Sequence, residues 1–285
     1  MDALWINGIA TDIGAPCIQA NDRGLSYGDG LFATMRVSYG KILFLGSHLS
    51  RLQQSAHRLG FGWQISQQSQ SAMLEAAQQY PNSCLKLMVS RGAGGRGYTP
   101  PEQPDLNEII SVQSIPTHYR NWQRSGIALA TSSIQLGQQP RLAGIKHLNR
   151  LEQVLIKRRP LPQWADDSLA LDAKGDVIET SMANIFFIDG QSVITPVLSH
   201  SGVSGVMRQQ IIEALIELGF DIKMTRIDYL GDRENDTESV GLPQFQHAFI
   251  TNSLLGCVDV TRIDAQYFQA HPVTEILRRK LNIQL

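Results

Sequence analysis

Two residues in this chain have the chemistry for covalent or electrophilic catalysis if the fold withdraws them from water. They are Lys146, in RLAGIKHLNRLEQVLIKRR (141–159), and Glu179, in GDVIETSMANIFFI (175–188). A half-buried lysine loses its proton more easily than an exposed one, because desolvation disfavours the ammonium form. The neutral amine can then form a Schiff base with a carbonyl. Leu148, Leu151 and Leu155 recur at i, i+3 and i+7, which predicts a helix over 146–159 with Lys146 at its mouth. Taken by itself, Lys146 is more simply one of the solvated lysines of a protein surface. Glu179 lies on a predicted strand between apolar neighbours, where an unpaired carboxylate is costly, so it needs a cationic partner. A lysine or arginine on the next strand is the usual partner, and a protonated ring nitrogen is the one with chemical interest.

Several further groups are suited to anions. Gly92-Ala93-Gly94-Gly95-Arg96-Gly97 matches the dinucleotide fingerprint G-x-G-x-x-G, but Tyr98-Thr99-Pro100-Pro101 follows where a helix must open, so the fingerprint reading fails. A flexible loop remains, and its Arg96 either grips a carboxylate or is solvated. Ser204-Gly205-Val206 opens the run RQQIIEALIEL; free N–H groups at a helix start make a phosphate site, and plain N-capping by Ser204 accounts for the same residues. Thr251-Asn252-Ser253 offers hydroxyls and amides to an anion, or simply forms a turn. Arg51 is an ordinary surface residue by default. Without H-E-x-x-H, CxxC or G-x-S-x-G, no metal site and no α/β-hydrolase nucleophile is expected.

The elements that must position these groups are mixed. In order, the predicted elements are a hairpin turning at Tyr39-Gly40, helices over 47–59 and 66–80, and strands at 84–91 and 107–115. The polar, aperiodic stretch PTHYRNWQR (116–124) marks a domain boundary, giving domains 1–118 and 119–285, the second carrying Lys146. Beyond it are predicted a strand at 127–134, the helix after Lys146, a hairpin through 173–176 and strands near 184–188 and 192–195. A helix at 204–218, strands at 221–227, 247–251 and 256–260, and a helix after Pro272 complete the order. Strands dominate and helices do not alternate with them regularly, so the fold class is α+β. The 285 residues carry a formal net charge of -1 with 18% charged residues, which gives no nucleic-acid footprint and no polybasic membrane surface, and points to a small-molecule partner. Cys17, Cys84 and Cys257 are odd in number and far apart, as in a reducing compartment, and the N-terminal run lacks a signal-like apolar core. A cytoplasmic protein is expected.

Together the segments resemble the fold type IV pyridoxal-phosphate enzymes, the group of branched-chain and D-amino-acid aminotransferases. The resembling blocks are NDRGLSYGDGLFATMRV (21–37), HLSRLQQSAHRLG (48–60), SRGAGGRGY (90–98), LAGIKHLNRLEQVL (142–155), GDVIETSMANIFFI (175–188), GVSGVMRQ (202–209) and ITNSLLG (250–256), in the family's order along nearly the whole chain. GIKHLNRLEQVL and SRGAGGRGY are similar to the branch of lyases acting on aminodeoxychorismate. The resemblance implies a two-domain fold with pyridoxal 5'-phosphate between the domains, a homodimer, and release of pyruvate and 4-aminobenzoate; the alternative is branched-chain or D-amino-acid transamination. By the same resemblance Lys146 carries the cofactor and Arg51 binds its phosphate, with the backbone of Gly205 and Val206 and with Ser253. Glu179 partners the pyridine nitrogen, and Arg96, Tyr98 and Asn252 contact substrate. Thr34 stands where aminotransferases have glycine or valine and is implied as the lyase-associated residue that holds or protonates the leaving group. Tyr98 replaces the usual substrate-binding histidine, which points away from general transamination.

Overall fold

A computed structural model describes residues 1–232 and 239–285, and these divide into two units, Met1–Pro116 with Ile145–Asn149, and Thr117–Gly144 with Arg150–Leu285. Lys146 therefore belongs to the first unit, whereas the sequence pattern had assigned it to the second.

In chain order, the first unit contains β1 (Ala3–Ile6), β2 (Ile9–Ala10), α1 (Arg23–Tyr27), β3 (Gly30–Ser38), β4 (Lys41–Ile42), α2 (Leu45–Arg58), α3 (Gln67–Gln79), β5 (Asn82–Ser90) and β6 (Asn107–Gln113). Its sheet runs β2-β1-β6-β5-β3-β4, all antiparallel. Alternation decides which face is buried. Leu31, Ala33, Met35 and Val37 of β3 and Leu85, Leu87 and Val89 of β5 are at most 1% exposed and pack with Leu52 and Ala56 of α2 and Met73, Ala76 and Ala77 of α3. The alternate residues, Phe32 and Thr34 of β3 with Lys86 and Met88 of β5, are therefore turned to the opposite face.

The second unit contains α4 (Tyr119–Ser125), β7 (Ile127–Thr131), α5 (Leu151–Arg158), β8 (Asp167–Leu171), β9 (Val177–Thr180), β10 (Asn184–Asp189), β11 (Ser192–Pro196), α6 (Val206–Glu217), β12 (Asp221–Asp228), β13 (Ser239–Gly241), β14 (His247–Asn252), β15 (Gly256–Ile263), β16 (Gln266–Tyr267) and α7 (Pro272–Lys280). Its mixed sheet runs β13-β12-β11-β10-β14-β15-β7-β8-β9, with β16 on β15. Phe186 and Phe249 stack cross-strand in its core with ring centroids 4.8 Å apart. The α+β class holds, with seven α-helices among the described residues.

Two local expectations change. Residues 116–124 are not irregular: Tyr119 and Trp122, one turn apart, stack at 5.4 Å and give α4 an aromatic face that a polar reading overlooks. The helix expected from Lys146 begins only at Leu151, and its presumed inward stripe faces out, with Leu151 69% and Leu155 45% exposed. Ile156 is the residue that α5 buries, with Leu136, Ala170 and Ile178.

Candidate active site

Lys146 sits on an extended segment, not at a helix mouth. Phe32 N–H donates to the Lys146 carbonyl at 3.0 Å and Leu148 N–H donates to the Gly30 carbonyl at 2.9 Å, so residues 145–149 form a short antiparallel bridge to the open edge of β3. The two-residue period then decides the direction of the lysine. Ile145, fully buried, joins the apolar core, and Lys146 emerges on the other side with Nζ 4.5 Å from the centroid of the Phe32 ring. Gly30 must be glycine for this pairing, because a Cβ there would lie 2.4 Å from the Val89 carbonyl oxygen and 2.6 Å from Leu148 Cδ1. Lys86 Nζ lies 4.9 Å from the same Phe32 ring, and Thr34 is directly opposite Lys86 in the ladder. Burial pushes the Lys86 ammonium below the usual lysine range, with Cys84 opposing. Lys146, Phe32, Thr34 and Lys86 thus share one face.

Arg51 is not an ordinary surface residue. It is half-buried on α2 and its Nη2 donates a long 3.4 Å bond to the Phe32 carbonyl; burial pushes its guanidinium down to about 10. One turn earlier, His48 is 1% exposed and neither ring nitrogen has a hydrogen-bond partner among the described residues. Its pKa is pushed down to about 3, chiefly by burial and further by the charges of Arg51 and Lys146.

In the second unit, Glu179 is 5% exposed on β9, and its Oε2 accepts a 2.9 Å hydrogen bond from Val203 N–H. The cation near it is Arg150, at the start of α5 and not on a neighbouring strand; burial lowers the Arg150 pKa, with Glu179 and then Glu152 opposing. The loop entering α6 is tied on both sides. Asn184 Nδ2 donates to the Val203 carbonyl at 2.8 Å, Ser204 N–H donates to the Gly144 carbonyl at 3.0 Å, and Gly144 N–H donates to the Gly202 carbonyl at 2.9 Å. Gly205, not Ser204, occupies the N-cap, and no side chain caps the helix. A Cβ on Gly205 would meet Asn184 Oδ1 at 2.3 Å, so the position demands glycine and leaves the first-turn N–H groups of α6 for an anion. Simple capping by Ser204 is thereby excluded.

The turn after β14 is tied by its own side chains. Asn252 Oδ1 accepts from Leu254 and Leu255 N–H, both at 2.9 Å, and its Nδ2 donates to the Met182 carbonyl at 3.2 Å. Its amide holds the turn. Thr251 Oγ1 likewise donates to the Gly256 carbonyl at 2.6 Å, and Ser253 stands half-buried in the turn.

Arg96 and Tyr98 are exposed on the 92–99 loop of the first unit, Tyr98 at 85%, with the Tyr98 ring 5.4 Å from that of Tyr27. His48 and Lys86 lie outside the residues whose type and spacing point to chemistry. Lys86 had a signal, being the one charge in the alternating apolar run CLKLMVS. His48 had none, since a histidine on a helix is ordinarily solvated.

Comparison with known proteins agrees along the chain. The family profile described as amino-transferase class IV matches residues 30–263. An aminodeoxychorismate lyase of Vibrio harveyi is 32% identical over 277 residues, 97% of each chain. The structure of a 4-amino-4-deoxychorismate lyase from Pseudomonas aeruginosa superposes with a TM-score of 0.86 at 30% identity, covering 99% of both chains. A hypothetical aminotransferase from Mycobacterium tuberculosis, solved in a PLP-bound form, has the same fold, with a TM-score of 0.80 at 20% identity over 98% of this chain and 97% of that one.

Proposed function

The chain belongs to the class IV aminotransferase family, and from that premise we propose that it is a pyridoxal-phosphate-dependent lyase converting 4-amino-4-deoxychorismate to 4-aminobenzoate and pyruvate, a step of folate biosynthesis. The residues present fit the cofactor. Lys146 is a half-buried amine on a half-buried sheet face, α6 opens on uncapped N–H groups at Gly205, and Glu179 is a buried carboxylate. We assign the phosphate to Arg51, the N–H groups of Gly205 and Val206, and Ser253, and the pyridine nitrogen to Glu179.

Pyridoxal phosphate, when bound, supplies an electron sink next to a substrate amine. The Lys146 Nζ removes the proton from the amine-bearing ring carbon of the substrate. Thr34 holds or protonates the enolpyruvyl oxygen as the neighbouring C–O bond breaks, and aromatisation of the ring drives the release of pyruvate. Arg96 and Tyr98 contact the carboxylates. The observation that favours elimination over transamination is Thr34, on the same face as Lys146 and opposite Lys86. With Lys146 engaged as amine, the Lys86 ammonium is the remaining cation of this face, which suits an anionic substrate.

The test is an assay of aminodeoxychorismate with the cofactor-loaded protein. Stoichiometric pyruvate and 4-aminobenzoate are expected. Conversion to the pyridoxamine form by an amino acid and 2-oxoglutarate, with no pyruvate from aminodeoxychorismate, would replace the lyase reading by the aminotransferase one.

We further infer a cytoplasmic homodimer. Leu151, Val154 and Leu155 form a contiguous exposed apolar face on α5, 69%, 58% and 45% accessible, and a second copy is the natural cover for such a face. Sedimentation equilibrium is expected to give twice the chain mass for the wild type and a shift towards monomer for Leu151→Glu; a monomeric wild type removes this part of the proposal.

A further inference from the structure

We propose that Arg23, held on Asp29, is a positioning residue that fixes the 92–99 loop and thereby the placement of Arg96 and Tyr98. The inference rests on the reading of those two side chains as substrate contacts.

Arg23 is 4% exposed at the start of α1, and its guanidinium is engaged along every edge. Nε donates to Asp29 Oδ2 at 2.8 Å. Nη1 donates to the carbonyls of Gly97 at 3.2 Å and Thr99 at 3.3 Å, and Nη2 to that of Tyr98 at 2.8 Å. Three consecutive carbonyls therefore converge on one side chain. The grip is anchored in turn: Asp29 Oδ2 also accepts from Arg91 Nε at 2.8 Å, and Arg91 Nη2 and Nη1 reach the carbonyls of Leu59 at 2.8 Å and Gly60 at 3.3 Å, just past the end of α2.

The loop is built to admit this side chain. A Cβ on Gly94 would stand 2.8 Å from Arg23 Cγ and Cδ, and Arg23 N–H donates to the Gly92 carbonyl at 2.8 Å. The Arg23 guanidinium also lies 5.0 Å from the centroid of the Tyr27 ring, which packs against Tyr98. A run with Gly94, Gly95 and Gly97 around one arginine has high conformational entropy when left alone. Holding three of its carbonyls before substrate arrives removes that entropy from the binding step.

Only a planar fork can do this. Lysine keeps a charge beside Asp29 but presents one ammonium, which cannot reach Asp29 and three carbonyls together. Asp29 retains Arg91 when Arg23 is replaced, so no buried carboxylate is orphaned and the variants are expected to fold.

The experiment uses the cofactor-loaded protein with Arg23→Lys, Arg23→Gln, Arg96→Gln and the Arg23→Lys/Arg96→Gln double variant. Without substrate, amide hydrogen exchange of residues 93–99 is expected to accelerate about tenfold or more in both Arg23 variants, as lost hydrogen bonds release the loop, and to stay unchanged in Arg96→Gln. With aminodeoxychorismate, Arg23→Lys is expected to raise KM about tenfold with kcat within about twofold, and to add little to Arg96→Gln. Unchanged exchange overturns the proposal, as does faster exchange with an unchanged KM. If the wild type releases no pyruvate, the proposed reaction fails separately, and the exchange measurement still decides whether Arg23 holds the loop.

Discussion

Lys146→Ala is expected to lower pyruvate release by about 10²–10⁴-fold, the range for loss of a positioned general base, while leaving the fold intact. The second half of that expectation follows from how the residue is held. Its structural work is done by its carbonyl, which accepts from Phe32 N–H, while Leu148 N–H donates to the Gly30 carbonyl and completes the tie of residues 145–149 to β3. Its side chain contributes contact with the Phe32 ring, where a cation is worth about 0.5–1 kcal/mol. Ile145, which fills the core, is untouched. Urea unfolding and a coupled pyruvate assay on the same preparation separate the two effects. A variant that still releases pyruvate at a wild-type rate shows that the lysine is not the base, and one that fails to fold shows that the bridge to β3 depends on the side chain after all.

The largest effect on stability is expected from acid acting on His48. The imidazole is 1% exposed, its pKa is pushed down to about 3 by burial, and the charges of Arg51 and Lys146 push the same way. Unfolding returns it to water, where it takes a proton near pH 6.5. Between those values the unfolded chain binds one more proton than the folded one, so stability falls as pH falls through this window and levels off below it. The slope is about 1.4 kcal/mol per pH unit and the full window is worth about 5 kcal/mol. In His48→Phe the ring shape is kept, both unpartnered nitrogens are removed and nothing titrates, so near-neutral stability is expected to hold or rise. Urea titrations of both proteins at pH 7.5, 6.0 and 5.0 decide the matter: the wild type should lose stability more steeply by about one proton, and parallel profiles would show that His48 is protonated in the folded state without penalty.

Much of the fold was legible because burial imposes a period on the chain. The alternation in LFATMRV and CLKLMVS announced β3 and β5, and the spacing of Leu49, Leu52, Ala56 and Leu59 announced α2, because each pattern is what a strand or a helix needs to bury one side. The period alone does not say which stripe turns inward. On α5 the leucine stripe faces solvent and Ile156 is the buried residue, since neighbours distant in sequence decide what is covered.

For the chemistry, the residue types were set by the sequence and their environments by the tertiary structure. Lys146, Glu179 and Gly205 stood out through residue type and local pattern, and Arg51 only through the family resemblance. Only the pairing of 145–149 with the edge of β3 turned Lys146 away from the core and onto the face of Phe32, Thr34 and Lys86. Only the Asn184 side chain made Gly205 obligatory, and only the turn beyond β14 drew the Asn252 amide inward. The physical reason is the same in each case. A side chain's identity and its alternation are local properties, whereas desolvation, register and the partner of a hydrogen bond depend on segments that the chain brings together from far along its length.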